Sequence, residues 1–294
     1  MRAVVNTIVN RIPIGVVKRI SALQWRWPWF RKAYLLAARS YGNRDDTIRR
    51  GPAKGAKFNS GLARNAGFVL GTYEPEVQTL YASLISSGMT VYDVGANVGF
   101  LAVLAARLVG PSGQVVCFEP LPANAEAIQH NATLNAFAHV RVIRVALGRQ
   151  EGTSEFLVSR DVGWGKLIGA GEDPGDLKEA IPVQVAQLSR AVEQYALPLP
   201  DLIKVDIEGG EVGMLEGSMQ LLARCRPFIL IELHGTNAEV DRILCEAGYH
   251  AYVLGEPRTI LEARWDAFVV AAPKEDEQKC AKASDLATGA ALSR

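Results

Sequence analysis

Cysteine is scarce in this 294-residue chain: Cys117, Cys225, Cys245 and Cys280 stand far apart, with no C-x-x-C spacing. That excludes a zinc cluster or a disulfide framework as the organising device, and a reducing, cytoplasmic setting is expected. Long apolar runs are missing too, since no stretch reaches the roughly 18 to 20 residues needed to span a bilayer. The N-terminus starts as a signal peptide would, but Asn6, Asn10 and Arg11 interrupt its apolar core and no clean A-x-A site follows, so secretion is not expected. No internal repeat is visible. Net charge is nearly absent as well, at +1, but that figure conceals a division. Residues 1–57 carry thirteen Lys/Arg against Asp45 and Asp46, a balance of +11, so the remainder carries −10.

What is present is an ordinary globular composition, 49% hydrophobic and 21% charged, on a chain long enough to bury a substantial core. Composition separates three regions: a basic, Trp-rich N-terminal arm over 1–57, read as helical; a domain over 58–273; and a polar, Ala-rich stretch over 274–294, read as a disordered tail. Trp25, Trp27 and Trp29 cluster in the arm, among Lys18, Arg19, Arg26, Arg31 and Lys32. Two roles fit such an arm: peripheral contact with a membrane surface, or helices that pack on the domain or across a homodimer. Pro13 and Pro28 limit any single long helix.

Within the domain, short runs rich in β-branched and aromatic residues predict strands at Thr90–Val94, Gln114–Glu119, Val140–Val145, Leu202–Ile207 and Phe228–Leu233. Helical patterns fall between most of them, at Phe100–Leu108, Pro122–Leu134, Glu211–Ala223 and Asn237–Ala247. That alternation predicts parallel β-α-β units with helices on both faces of the sheet. Tyr249–Leu254 and Asp266–Ala272 have only a loop between them and are expected to close the sheet as an antiparallel hairpin. The result is an α/β, Rossmann-like, mostly parallel seven-stranded sheet. Between Val158 and Ile181, Gly163, Gly165, Gly169, Gly171 and Gly175 predict a long loop, placed to cover a ligand crevice at the strands' C-terminal ends.

The most specific segment is Val91-Tyr-Asp-Val-Gly-Ala-Asn-Val-Gly-Phe100, a strand entering a glycine-bearing turn and then a helix. Its G-x-N-x-G spacing, with Phe at position 100, departs from G-x-G-x-x-G. Asp93 stands two residues before the first Gly, where it would repel the pyrophosphate of a dinucleotide held at the helix N-terminus. The same carboxylate suits the cationic amino end of S-adenosylmethionine, which disfavours a dehydrogenase. Glu119, in Phe118-Glu119-Pro120 at the end of the second strand, is placed to accept two hydrogen bonds from a ribose diol. Lys204, Asp206 and Glu208 alternate at the end of the fourth strand, and three ionisable groups there must be solvated, paired or working. Glu232 and His234 end the fifth strand, and a histidine has a pKa suited to taking a proton from a hydroxyl. His130, His139 and His250 show no such placement.

Taken together, these segments resemble the FkbM-type family of class I S-adenosylmethionine-dependent methyltransferases. The likeness runs from about Gly71 to Leu233. It is carried by Tyr73-Glu74-Pro75-Glu76, Asp93-Val-Gly-Ala-Asn-Val-Gly99, Phe118-Glu119-Pro120, Leu134-Asn135, Ala146-Leu147-Gly148, Lys204-Val-Asp-Ile-Glu-Gly209 with Glu211, and Glu232 with His234. The resemblance implies methyl transfer from S-adenosyl-L-methionine, commonly to an oxygen of a sugar or natural-product acceptor. It implies a donor site of Glu74, Asp93, Gly95, Ala96, Asn97, Gly99, Phe100, Glu119, Pro120 and Ala146. Asp206, Glu208 and His234 would stand near the reacting centre. No metal ligand set is assigned, although a divalent ion on Asp206, Glu208 or Glu232 is left open. Two other readings stand beside this one. The basic arm with its interleaved Trp favours a nucleic-acid methyltransferase, against which stand the acidic body and the lack of an Asn-Pro-Pro-Tyr-like segment. The other is a non-catalytic relative that keeps the donor site, since fold alone does not prove function.

Overall fold

The computed structural model describes residues 44–61, 65–159, 165–167 and 177–289. The Trp cluster of the N-terminal arm, much of the glycine-rich stretch and the last five residues therefore lie outside the described residues. In chain order, β1 (Asp45–Thr47) pairs antiparallel with β2 (Lys57–Asn59) and leads to two short helices, α1 (Ala66–Leu70) and α2 (Pro75–Leu84). The alternating body then runs β3 (Thr90–Val94), α3 (Phe100–Val109), β4 (Gln114–Phe118), α4 (Pro122–Leu134) and β5 (Val140–Ile143). A small sheet follows, built from β6 (Ala146–Leu147), β7 (Gly152–Ser159), β8 (Gly165–Leu167) and β9 (Leu177–Ala186). The chain returns through α5 (Leu188–Gln194) to β10 (Leu202–Val205), α6 (Glu211–Glu216), α7 (Met219–Cys225), β11 (Phe228–Glu232), α8 (Asn237–Glu246), β12 (Tyr249–Val253), β13 (Phe268–Pro273) and α9 (Glu277–Ala287).

The main sheet has seven strands in the order β12-β13-β11-β10-β3-β4-β5. All five strands expected to be parallel are so, and β13 lies antiparallel between β11 and β12. Every residue of β3 and β10 is buried, because helices cover both faces of the sheet. Val91, Leu104, Val115 and Leu230 belong to one core, and Tyr92, Phe118, Ile203 and Ile231 to the other. The chain leaves β3 for β4 on one side and later returns to β10 on the other. The switch point therefore lies between β3 and β10, where open α/β sheets leave a crevice beyond the strand ends.

Three expectations need correction. The domain begins before residue 58: Ile48, Ala53 and Ala56 are buried in its core, and Asn131 of α4 and Asn135 just after it accept hydrogen bonds from the Asn59 and Lys57 backbone N–H groups at 2.7 and 2.8 Å. It also extends beyond 273, because most of the expected tail is α9, capped by the Asp276 side chain and burying Ala283, Leu286 and Ala287. Its buried stripe is mostly alanine, which gives almost no apolar contrast in sequence. The 158–181 stretch is not one long loop. β7 and β9 pair antiparallel along their length, and β8 adds to β7. Smaller differences follow from local chemistry. The helix expected over 211–223 divides at Gly217, whose backbone lies against Gly148: a Cβ there would stand 2.3 Å from the Gly148 carbonyl oxygen. Among the described residues no helix is long and apolar enough to cross a membrane.

Candidate active site

Gly95 follows directly on β3, with φ +75°, and its N–H donates to the Phe118 carbonyl at 3.0 Å. This turn folds the chain over the end of β4 before α3 begins. The pocket beyond it, about 960 Å³ including its open mouth, is lined by Asp93, Ala96, Asn97, Phe100, Glu119 and Asp206, among others. Gly95, Pro120 and Ala146 also face it, so eight of the ten expected donor residues converge. Gly99 and Glu74 do not line it. Gly99 packs against Ile128 in a left-handed conformation. Glu74 lies in a neighbouring cavity with Glu232, Arg264 and Asp266.

Charge is concentrated at the switch point. The Lys204 ammonium is buried, 3.4 Å from Asp93, 3.3 Å from Asp206 and 3.2 Å from the Gly95 carbonyl oxygen, to which it donates. Burial works against its charge, but Asp206, Asp93 and Glu74 outweigh that and raise its pKa. Asp93 is fully buried, and beyond the Lys204 ion pair neither of its carboxylate oxygens accepts a hydrogen bond; the Asn97 side-chain oxygen is likewise buried without a hydrogen-bond partner. Such groups are costly unless a ligand satisfies them. Glu119 accepts from the backbone N–H groups of Asn97 (2.9 Å) and Leu121 (3.0 Å), and from the Asn124 amide at 3.4 Å. Burial nevertheless pushes its pKa up to about 7.

A second cluster adjoins the first through Asp206. β10 ends at Val205, so Glu208 does not continue its face as expected; it stands in the following turn with φ +55°. His234, 7% exposed, donates from Nδ1 to Glu211 Oε1 at 2.9 Å. Its Nε2 faces Glu208 Oε2 at 3.6 Å, Asp206 Oδ1 at 3.9 Å and Glu232 Oε1 at 3.9 Å. Glu211, wholly buried at the first position of α6, also accepts from the Gly209 N–H and the Thr236 hydroxyl. Burial alone would lower the His234 pKa, but Glu211 and the surrounding carboxylates raise it to about 9. Burial and Asp206 push Glu232 up to about 9 and Glu74 to about 7. Asp206, Glu232 and His234 offer ligand atoms within 4.8 Å of one another, a grouping that could hold one divalent ion.

Glu74, Glu119, Glu232 and His234 all bind a proton more tightly folded than unfolded. Each therefore stabilises the fold fully below its ordinary pKa, and loses that contribution as pH rises through the folded value. The melting temperature is expected to fall as pH rises from about 4.5 to about 9, which differential scanning fluorimetry across that range would measure. A rising profile would mean that these carboxylates are not held in a proton-binding environment.

Several residues of the site carried no signal in sequence. Phe156 and Leu167, from β7 and β8, line the first pocket, so part of the glycine-rich stretch does reach the crevice, as a sheet edge. Burial raises the Glu208 pKa, and buried Lys166 is among the cations that oppose the rise. Trp265, between β12 and β13, stands beside His234.

The strand order, the G-x-N-x-G turn and the acidic residue at the end of β4 define a class I methyltransferase fold. The methyltransferase FkbM domain matches residues 93–251, more than half the chain, and the chain belongs to that family. It is similar to the hexuronic acid methyltransferase AglP of Haloferax volcanii, 25% identical over 159 residues that cover 53% of this chain and 62% of the relative. It is also similar to methyltransferase sdnD of Sordaria araneosa, 24% identical over 160 residues that cover 45% of this chain and 61% of the relative. The chain thus spans about three fifths of the length of these curated relatives. Among solved structures, a methyltransferase FkbM from Methylobacillus flagellatus KT superposes with a TM-score of 0.45 at 18% identity, covering 71% of this chain and 56% of that one.

Proposed function

We propose that the protein is an S-adenosyl-L-methionine-dependent methyltransferase acting on the oxygen of a hydroxyl, on a sugar, glycan or natural-product acceptor. One observation carries the donor assignment: the buried Asp93 carboxylate, with Lys204 as its charge partner and no hydrogen bond beyond that pair, lines a pocket at the switch point of the sheet. A ligand with a cationic group fits there. Asp93 would hold the amino end, Glu119 the ribose diol, and the Gly95–Asn97 backbone would pass close to the ligand. When bound, S-adenosylmethionine supplies a methyl group on a sulfonium, already a good leaving group. The chain's remaining tasks are to align the acceptor, exclude water and take up the hydroxyl proton. Asp206, in the pocket wall, and His234 beside it would perform that last task. The name of the Haloferax relative supports a sugar acceptor, and the hydrogen-bonding cluster around His234 fits one.

Calorimetric titration with S-adenosylmethionine and S-adenosylhomocysteine tests the donor reading. Asp93→Asn is expected to weaken binding by roughly 10- to 100-fold, the loss of a charge-assisted hydrogen bond. No binding by the wild type would sink the proposal. Affinity should also depend on pH through Glu119, which accepts from a diol with both oxygens only when ionised. Below about pH 7 donor affinity is expected to fall, approaching tenfold per pH unit for one required ionisation. Titrations from pH 5.5 to 8 check this, and Glu119→Gln should flatten the profile at lower overall affinity. The same slope in that variant would assign the dependence to another group.

A further inference from the structure

Among the described residues the exposed large apolar side chains are Leu199, Leu261 and Trp265, and two of these three stand on the segment joining β12 to β13. Trp265 is 54% exposed, yet its indole is fixed. A Cβ added to Gly235 would lie 2.9 Å from both Cδ1 and Nε1 of the indole, so the ring rests directly on the Gly235 backbone. The Gly235 N–H donates to the Trp265 carbonyl at 3.2 Å, and the Leu233 N–H to the Ala267 carbonyl at 2.9 Å, tying the segment to the end of β11. The indole meets the His234 imidazole nearly edge-on, with centroids 5.4 Å apart and planes at 81°. One part of the ring is thereby locked beside the imidazole while the rest faces solvent.

The surroundings restrict what such a surface can receive. Asp206, Glu208 and Glu232 face His234 Nε2 at 3.6–3.9 Å, and Asp206 and Glu208 also line the donor pocket. A ligand lying on the indole next to these groups needs an apolar face for the ring and hydroxyls for the carboxylates. A wholly apolar acceptor would leave the carboxylates desolvated without partners, and a phosphodiester chain would be repelled by them. A pyranose ring offers both features: C–H bonds crowd one face, and hydroxyls project from its edge.

We propose that Trp265 is the platform of the acceptor subsite, and that the acceptor is a hexopyranose laid on the indole with its hydroxyl edge toward His234 and Asp206. This rests on the methyl-transfer reading and narrows its substrate class. Trp265 binds and orients, and takes no part in proton transfer.

The test is saturation-transfer difference NMR of a panel of methyl hexopyranosides, neutral and uronate, on the full-length protein saturated with S-adenosylhomocysteine. Affinities would be measured for the wild type, Trp265→Phe and Trp265→Ala, with donor affinity measured in parallel by calorimetry. The expected result is saturation concentrated on the ring protons of one pyranose face, with affinity reduced at least tenfold in Trp265→Ala and only severalfold in Trp265→Phe. Donor binding should be unchanged in both variants, which also establishes that they fold. Equal pyranoside affinity in wild type and Trp265→Ala would overturn the platform. Donor binding without any pyranoside contact would overturn the sugar assignment while leaving methyl transfer standing, whereas failure of the wild type to bind the donor would remove both.

Discussion

Replacing His234 with alanine or glutamine is expected to lower kcat by roughly 10²- to 10⁴-fold, the usual contribution of a positioned general base, with little change in donor affinity. The geometry explains both halves of this result. His234 does not line the donor pocket but meets it through Asp206, so the donor loses no contact when the imidazole goes. The imidazole is held by Glu211 at Nδ1, leaving Nε2 as the atom that faces the acceptor side. In the free protein the surrounding carboxylates keep it protonated up to about pH 9, and an imidazolium cannot accept a proton. Positive charge bound against Asp93 and Asp206 acts in the opposite direction, because a like charge nearby lowers a cationic acid's pKa. The pH profile should show this. With donor subsaturating, kcat/KM is expected to rise with pH until about 9, and with donor saturating the limb should move to lower pH. A His234→Gln enzyme that kept the same limb, or lost less than threefold in kcat, would transfer the role to a carboxylate.

Much of the pocket at the switch point was legible in sequence because backbone geometry dictates it. The turn after β3 requires glycine where φ is +75°, the strand must be buried on both faces, and a carboxylate inside such a strand has few reasons to be there. Asp93, Gly95 and Glu119 could therefore be brought to one pocket from local chemistry, Asn97 through the family resemblance, and the parallel strands from β-branched runs. The cluster around His234 depends on contacts between distant segments, which no local pattern encodes. Trp265 reaches His234 only because β13 inserts between β11 and β12, and Lys166 reaches Glu208 only because β7, β8 and β9 fold into a sheet of their own. α9 was missed for a different reason: alanine fills a close-packed groove without the hydrophobic contrast that marks an amphipathic helix.

Gly95→Ala is expected to abolish measurable donor binding while leaving a folded but destabilised protein. A Cβ at this position would stand 1.9 Å from the Asp206 carbonyl oxygen and 2.9 Å from Cγ2 of Ile207, and φ at +75° is a conformation that L side chains rarely adopt. The obstruction is backbone, so no rotamer change relieves it. Either the turn moves away from the end of β10 or β10 moves away from the turn. Both movements separate Asp93 and the Gly95 carbonyl oxygen from Lys204, and movement of the turn also pulls the Gly95 N–H from the Phe118 carbonyl that sets the turn over β4. Backbone strain of this kind costs roughly 1–3 kcal/mol, or about 2–4 °C in Tm for each kcal/mol in a domain of this size. Donor affinity should fall by more than about 100-fold, the result of losing two well-aligned polar contacts together. Calorimetry and thermal melting measure the two effects separately. Gly55→Ala supplies the comparison: its φ of +91° carries similar strain, but no atom lies within 4 Å of the added Cβ, so it should lower Tm without touching donor affinity. If Gly95→Ala bound the donor as tightly as Gly55→Ala does, the close approach of β3 to β10 would not be what shapes the pocket.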